Sequence, residues 1–188
     1  LVIDLDPQAS ASSWLGVKTK DRLLLDVLTG NGNLSAIVHH TDVVNVSLIP
    51  SSSWLIRAER ELSGEVGAET ALRRSMERLP NSWDFVLLDC PPSLGILTIN
   101  ALAAAGEVLA PVEAGAMALH GLVQLLETLE TVRSRINPGL ELLGVLACKV
   151  DSRTRHALDV VEIIRKRFPE KAFKTIIREN VRTIESFS

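Results

Sequence analysis

The chain has 188 residues, of which 46% are apolar, 4% aromatic and 23% charged, and its formal net charge is -3. This length and apolar content allow a sizeable buried core, exclude a disordered chain and predict a single domain over residues 1–188. No apolar run reaches the roughly 18–20 residues that cross a bilayer, so we expect no membrane association and a cytoplasmic location.

Apolar segments with strand character alternate with segments of helical spacing along the chain. The predicted strands are residues 1–5, 43–49, 85–90, 107–112, 140–150 and 172–177, and helical spacing is clearest in residues 72–79, 119–136 and 157–168. Several of the strands are continuously apolar, which is typical of strands covered on both faces. The alternation predicts parallel pairing through right-handed crossovers, and therefore a three-layer α/β/α domain with a mostly parallel sheet.

Two carboxylates lie at the end of the first predicted strand. Asp4 and Asp6 are two residues apart, which places both on the same side of a strand that stays extended, and Pro7 stops the ladder. Because ligands gather beyond the carboxyl ends of the strands in open parallel sheets, both acids lie where a ligand site would be. A strand end with solvated acids and a proline turn is the alternative interpretation.

A second strand end combines an apolar run, an aspartate and a proline-stiffened loop. Residues 85–88 are all apolar, Asp89 follows them, and Pro91 and Pro92 begin the loop. This is the form of a Walker B strand, whose carboxylate orients the water shell of a phosphate-bound magnesium ion. The alternative is a buried strand that ends in an aspartate capping the next helix.

The two parts of the chain differ in charge. From Cys148 onward the chain holds ten Lys and Arg residues and six acids, whereas residues 1–147 hold ten basic and seventeen acidic residues. The excess of positive charge makes the C-terminal part a candidate surface for a nucleic-acid phosphate backbone. A solvated helix face is the alternative, since charge runs are common on exposed helices.

Several segments resemble, in this order, the ParA/Soj chromosome- and plasmid-partitioning ATPases, which are relatives of the MinD division-site ATPases. They are residues 4–12, 84–95, 111–112 with 118–122, 151–153 and 177–182. The resemblance covers essentially the whole chain. It implies a P-loop NTPase-like fold and an ATPase that uses ATP and Mg²⁺ and forms a homodimer around ATP. It also implies nonspecific DNA binding on the nucleoid and stimulation by a ParB-like partner.

The resemblance also assigns roles to individual residues. Asp6 corresponds to the switch I aspartate and Asp89 to the Walker B aspartate, so both are predicted to be catalytic and to bind Mg²⁺, largely through water. Residues 91–95 correspond to switch II. The residues predicted to bind the cofactor are Asp4, Asp6, Pro7, Asp89, Pro91, Pro92, Lys149, Asp151, Arg178 and Asn180. Those predicted to contact DNA are Arg165, Lys166, Arg167, Arg178 and Arg182.

The phosphate-binding loop of this family is missing from the sequence. No GxxxxGKS or GxxxxGKT segment occurs in the 188 residues, although backbone N–H groups and a lysine of such a loop normally hold the phosphates. We therefore expect a fold that lacks its first strand and P-loop, in a chain incomplete at its N-terminus and also at its C-terminus. The alternatives are a nucleotide-free α/β interaction module and a MinD-like ATPase, which would need an amphipathic C-terminal helix.

Overall fold

The computed structural model describes residues 1–115 and 118–180. Two compact units divide the chain, Leu1–Ala105 and Gly106–Ser188, and each has its own sheet. Both sheets consist mainly of parallel strands, and α-helices connect these strands along the chain. The predicted α/β class is therefore confirmed.

The first unit is built around one central strand. Its strands are β1 (Val2–Asp4), β2 (His39–His40), β3 (Ser47–Ile49) and β4 (Leu87–Asp89), and its α-helices are α1 (Ser10–Trp14), α2 (Leu23–Leu28), α3 (Ala58–Glu61), α4 (Ala71–Met76) and α5 (Ile96–Ala104). The sheet order is β2-β3-β1-β4. β1 pairs in parallel with β3 and β4, whereas β2 is antiparallel to β3. Both neighbours of β1 therefore run in its direction.

In its described part, residues 106–115 and 118–180, the second unit has three parallel strands and two long helices. They are β5 (Glu107–Glu113), α6 (Ala118–Arg135), β6 (Glu141–Val150), α7 (Arg155–Arg167) and β7 (Ala172–Arg178). β6 lies between β5 and β7 and is parallel to both. None of the helices in the described ranges combines the length and hydropathy that a bilayer-spanning segment requires.

β1 is covered on both of its faces. Ile3, Asp4 and Leu5 are wholly buried, and so are Leu48 and Ile49 around the neighbouring β3. Because successive side chains of a strand point to opposite faces, burial of three in a row requires cover on both sides. The continuous apolar run at the start of the chain therefore predicted the environment of β1 correctly.

The same expectation does not hold for β4. Phe85 is 78% exposed and Leu87 is 61% exposed, although residues 85–88 form a continuous apolar run. Among residues 1–115 and 118–180, β4 is the last strand of its sheet and pairs with β1 alone. An apolar run thus marks this strand without showing how much of it is covered.

The sequence analysis did not predict helix α5 and placed the start of β3 too early. α5 buries Leu97, Ala101, Leu102 and Ala103, and its apolar residues are spread around the helix instead of following one face. The predicted strand 43–49 is shortened to β3 because Asn45 adopts a left-handed φ of 62° in the turn after β2. A residue in this region of φ does not continue a strand.

The core of the second unit lies between its sheet and its helices. Val112 of β5 and Val145 of β6 pack with Val160 and Ile164 of α7. The buried positions of α7 follow the helical spacing predicted for residues 157–168, and the rest of that helix is charged or exposed. The amphipathic pattern therefore predicted correctly which face of α7 is buried.

Asn100 connects α5 to the start of α4 inside the first unit. The residue is wholly buried. Its Oδ1 accepts from the N–H of Leu72 (3.0 Å), and its Nδ2 donates to the carbonyls of Ala68 (2.8 Å) and Ile96 (3.0 Å). The Leu72 N–H lies in the first turn of α4, where a helix offers it no backbone partner. The side chain of Asn100 thus satisfies backbone groups that water does not reach.

We predict that Asn100→Ala lowers the free energy of unfolding by about 2–4 kcal/mol, because each buried polar group left without a partner costs roughly 1–3 kcal/mol. Chemical denaturation followed by circular dichroism measures this change. Asn81→Ala is the matched control, since Asn81 is exposed. A loss in Asn100→Ala no larger than that in the control would contradict the structural role of Asn100.

Candidate functional site

The carboxyl ends of β1 and β4 lie side by side. In the parallel pairing of these strands Asp4 stands opposite Asp89, and the N–H of Leu5 donates to the carbonyl of Asp89 (2.8 Å). Asp6 follows directly and lies close enough to Asp89 for its charge to act on that carboxyl. The structure thus brings Asp4, Asp6 and Asp89 to one end of the first sheet, the end at which parallel sheets bind ligands.

The carboxylate of Asp4 is buried and fully engaged with its own chain. Its Oδ1 accepts from the N–H of Asp6 (3.1 Å), and its Oδ2 accepts from the N–H (2.8 Å) and the hydroxyl (2.6 Å) of Ser12. Asp4 is wholly buried and Ser12 is 1% exposed. Asp4 therefore holds the loop that follows β1.

Asp6 lies in a tight turn between β1 and α1. Its Oδ1 accepts from the N–H of Gln8 (2.9 Å), and its carbonyl accepts from the N–H of Ala9 (2.8 Å). Pro7 is half-buried between them, and Ala9 has a left-handed φ of 55°. The turn leaves the Asp6 side chain half-buried at the site, in contrast to the enclosed Asp4.

Asp89 has an altered acidity. Burial of its carboxyl is the main cause that raises its pKa above the ordinary value, and the negative charges of Asp4 and Asp6 raise the pKa further. The protonated form is thereby favoured relative to an isolated aspartate. A bound divalent cation would act in the opposite direction, because its charge stabilises carboxylates.

The chemistry of these carboxylates fits magnesium better than a metal held by protein alone. Over residues 1–115 and 118–180, no group of three or more His, Cys, Asp and Glu side chains is arranged to hold an ion. Mg²⁺ needs only one or two carboxylates, since it keeps several waters and binds substrate phosphates. Asp6 and Asp89 therefore fit a hydrated magnesium ion that also binds a phosphate group.

The loop after β4 is tied to α3 by one carboxylate. Oε1 of Glu59 accepts from the N–H of Ile96 (2.6 Å), the first residue of α5, and a β-carbon at Gly95 would collide with this oxygen. In the loop itself, Pro91 is half-buried and Pro92 is exposed. Glu59 thus fixes the end of residues 91–95, the segment that corresponds to switch II.

The four cofactor residues predicted in the second unit also meet at strand ends. Val150 of β6 is paired with Arg178 of β7, so Lys149 and Asp151 flank the end of β6 beside Arg178. Asn180 follows two residues later. The structure thus brings these predicted residues to the same end of the three-stranded sheet.

Ion pairs order this second set of strand ends. Nζ of Lys149 lies 3.2 Å from Oε2 of Glu113, and Nε of Arg153 lies 2.9 Å from Oδ1 of Asp151. The hydrogen bonds that the side chain and backbone of Arg153 donate hold the pKa of Asp151 below its ordinary value. Lys149 has a left-handed φ of 48°, which alters the backbone direction just before β6 ends. Neither ion pair is buried, so both contribute little to stability.

The predicted DNA contacts lie mostly on the last turn of α7. Arg165, Lys166 and Arg167 are all exposed. Nη2 of Arg165 donates to the carbonyl of Lys174 (3.0 Å), and Nζ of Lys166 is 2.7 Å from Oε1 of Glu162. Arg182 lies outside the described residues. The last turn of α7 therefore exposes three cationic side chains, while the apolar side chains of the helix are buried on its other face.

Sequence reasoning missed three residues that shape the first site: Ser12, Ser51 and Glu59. Ser51 follows β3, is 1% exposed and donates its hydroxyl to the carbonyl of Asp6 (2.6 Å). These residues contact site segments that are 8 to 45 positions away. No local pattern in the sequence marks such contacts.

A family model and several curated proteins are similar to this chain over most of its length. The family model described as AAA domain matches residues 1–142. The chain is 39% identical over 188 residues to the sporulation initiation inhibitor protein Soj of Bacillus subtilis, covering 99% of this chain and 74% of the relative. It is 45% identical over 186 residues to the chromosome-partitioning ATPase Soj of Thermus thermophilus, covering 99% of this chain and 71% of the relative.

Solved structures extend the comparison to bound ligands. A structure from Mycobacterium smegmatis, described as cobyrinic acid a,c-diamide synthase with bound ADP and magnesium, matches with a TM-score of 0.87 and 34% identity, covering 99% of this chain and 77% of that chain. A second structure of that protein, with an ATP analogue and magnesium, matches with a TM-score of 0.88. A relative with this fold thus binds nucleotide together with magnesium.

The parallel strands that end in carboxylates, the matching family model and the similar solved structures together assign this chain to the P-loop NTPase fold of the ParA/MinD group. The identities and coverage then determine the family. The chain belongs to the Soj/ParA family of chromosome-partitioning ATPases. The family resemblance found in the sequence is confirmed.

We predict that Asp4→Asn lowers the free energy of unfolding by about 1.5–3 kcal/mol, the value of hydrogen bonds to a charged group. An asparagine keeps one acceptor oxygen, so its amide nitrogen must face one of the N–H donors that now point at Asp4. Chemical denaturation tests this, with Asp42→Asn at an exposed position as the control. Equal stability of the two variants would show that Asp4 does not hold the loop.

Proposed function

We propose that this protein is a magnesium-dependent ATPase for DNA segregation, which dimerises around ATP, binds DNA nonspecifically on the nucleoid and is stimulated by a ParB-like partner. The observation that supports hydrolysis most directly is the convergence of Asp6 and Asp89 at the carboxyl ends of two parallel strands. The names of the Soj relatives support the cellular role. The ParB-like partner rests on family membership alone.

In this proposal the protein contributes position and charge to the reaction. Hydrolysis forms a bond between a water oxygen and the γ-phosphorus and breaks the bond to the β-phosphate, with little covalent chemistry left to the protein. Asp6 would orient the attacking water, and Asp89 would hold the water shell of a bound magnesium ion. Magnesium, when bound, neutralises charge on the phosphates. The loop bonded to Asp4 keeps Asp6 in place.

Phosphate binding in this proposal needs a loop from outside these 188 residues, because no GxxxxGKS or GxxxxGKT segment occurs in them. Helix N-termini and lysines of such loops hold phosphates by backbone N–H groups and charge. The full-length protein is therefore the material for every activity test.

The strand ends of the second unit support a proposal for recognition of the base. Lys149, Asp151, Arg178 and Asn180 gather at the ends of β6 and β7, and they offer both donors and acceptors for a planar heterocycle. A small number of well-placed polar groups is sufficient to orient such a ligand.

We predict that Asp6→Ala in the full-length protein lowers the rate of ATP turnover by about 10²- to 10⁴-fold, the contribution of one positioned acid–base group. The affinity for ATP is expected to stay within about threefold, because Asp6 acts on the water and metal in the transition state. Phosphate release and calorimetry measure the two quantities, with Asp42→Ala as the control. Loss of ATP binding in Asp6→Ala would instead show that Asp6 acts mainly in binding the magnesium nucleotide or in holding the fold.

Calorimetry with ATP and Mg²⁺ on the unmodified full-length protein also separates the two classes of function. Heat of binding supports the ATPase. No binding at millimolar ATP would leave the nucleotide-free interaction module as the function of the chain.

DNA binding is proposed for the exposed end of α7. The last turn of that helix presents Arg165, Lys166 and Arg167, and such side chains displace condensed counterions from the phosphate backbone. Because phosphate contacts carry no sequence information, the binding is expected to be nonspecific. Arg178 lies at the carboxyl end of β7, away from the last turn of α7, so Arg178 and Arg182 are proposed as separate, additional DNA contacts.

We predict that the triple variant R165A/K166A/R167A weakens DNA binding and reduces the slope of log K against log salt by up to about three, since each phosphate contact contributes about 0.9. Fluorescence anisotropy with duplex DNA at several salt concentrations measures both effects. The variant K18A/R60A/R78A removes the same charge from exposed positions of the first unit. An equal effect of the two variants would show that net charge, and not the α7 surface, determines the affinity.

A further inference from the structure

Ser51 closes a ring of hydrogen bonds around Asp6. The hydroxyl of Ser51 donates to the carbonyl of Asp6 (2.6 Å), and the N–H of Ser51 donates to the hydroxyl of Ser12 (2.9 Å). The hydroxyl of Ser12 donates in turn to Oδ2 of Asp4 (2.6 Å), and Oδ1 of Asp4 accepts from the N–H of Asp6 (3.1 Å). The ring therefore joins the end of β1, helix α1 and the segment after β3.

This ring holds Asp6 from both sides of its α-carbon. The N–H of Asp6 is fixed by Asp4, and its carbonyl is fixed by Ser51. These two bonds restrict the φ and ψ angles of Asp6, and those angles set the direction of its side chain. Ser12 and Ser51 are each 1% exposed, so bulk water does not compete for the bonds. Asp6 is thus oriented by protein that lies 45 positions away in sequence.

We propose that Ser51 is a positioning residue for hydrolysis: it fixes the backbone of Asp6 so that the carboxylate points at the reacting water. This inference rests on the proposed function, in which Asp6 orients that water. In this role Ser51 acts through Asp6, to whose carbonyl its buried hydroxyl donates. A displacement of about 1 Å in a catalytic group is enough to lower the rate about 10²-fold.

Removing the Ser51 hydroxyl disturbs the orientation of Asp6 more than the fold. The carbonyl of Asp6 keeps a second donor, the N–H of Ala9 (2.8 Å), so it is not left unsatisfied in the variant Ser51→Ala. The N–H of Ser51 still donates to Ser12 in that variant, because this bond uses the backbone. Removing the Ser12 hydroxyl, in contrast, would deprive both Asp4 and Ser51 of a partner.

Ser52 provides a matched control. It is a buried neighbour of Ser51, and its hydroxyl also donates to a backbone carbonyl, that of Asp21 (2.7 Å). Ser52→Ala therefore removes a bond of the same kind from the same segment without touching the Asp6 ring.

The experiment compares Ser51→Ala and Ser52→Ala in the full-length protein. We expect Ser51→Ala to lower kcat for ATP about 10- to 100-fold with KM within about twofold, and Ser52→Ala to leave kcat within about twofold. A kcat of Ser51→Ala equal to that of Ser52→Ala, or a rise in KM as large as the fall in kcat, overturns the proposal. Ser51→Cys, which keeps a weak donor of similar size, is expected to lie between wild type and Ser51→Ala, and it replaces that variant if Ser51→Ala does not fold.

A second measurement distinguishes failure of this inference from failure of the proposed function. Amide hydrogen exchange of residues 6–12 in nucleotide-free protein is expected to accelerate in Ser51→Ala and not in Ser52→Ala, because the ring restrains the loop without any ligand. Unchanged exchange overturns the positioning role whether or not the protein hydrolyses ATP. Accelerated exchange in a protein whose wild type hydrolyses no ATP would refute the ATPase and retain the restraint on Asp6.

Discussion

The burial of one carboxylate, that of Asp4 at the end of the central strand, is the constraint on which the first site depends. A buried charge without partners is strongly unfavourable, so the surrounding chain has to supply donors. The loop after β1 does so with the N–H of Asp6 and both donors of Ser12. Ser12 must therefore come back to Asp4 only eight residues further along the chain. This contact fixes the position of α1 and the shape of the turn at Asp6.

The same constraint gives Asp4 and Asp6 different environments, although the sequence analysis predicted that both lie on the same side of one strand. The two-residue spacing of Asp4 and Asp6 predicts a shared side only while the strand stays extended, and β1 ends at Asp4. Beyond that point the chain turns, so Asp4 is enclosed while Asp6 is half-buried. Asp4 organises the loop and Asp6 is left half-buried at the site, while the charges of both acids raise the pKa of the Asp89 carboxyl.

Features of the fold that depend on local sequence were predictable, and features that depend on distant partners were not. The ends of β1 and β4 could be identified because an apolar run followed by an acid and a nearby proline is a local pattern. The bond from Ser51 to Asp6 and the bond from Ile96 to Glu59 join residues 45 and 37 positions apart. The exposure of Leu87 likewise depends on the position of β4 in its sheet, which composition does not reveal.

The left-handed backbone of Ala9, with φ 55° and ψ 38°, places backbone strain in the loop between Asp6 and Ser12. An L-residue with a β-carbon is about 1–2 kcal/mol less favourable in this region than in a right-handed conformation. The resting shape of the segment is therefore under tension, which its bonds to Asp4 and Ser51 contain. If the hydrogen bonds to Asp4 and Ser51 are broken, Ala9 can return to a right-handed conformation. The free energy gained by Ala9 then offsets part of the cost of breaking those bonds.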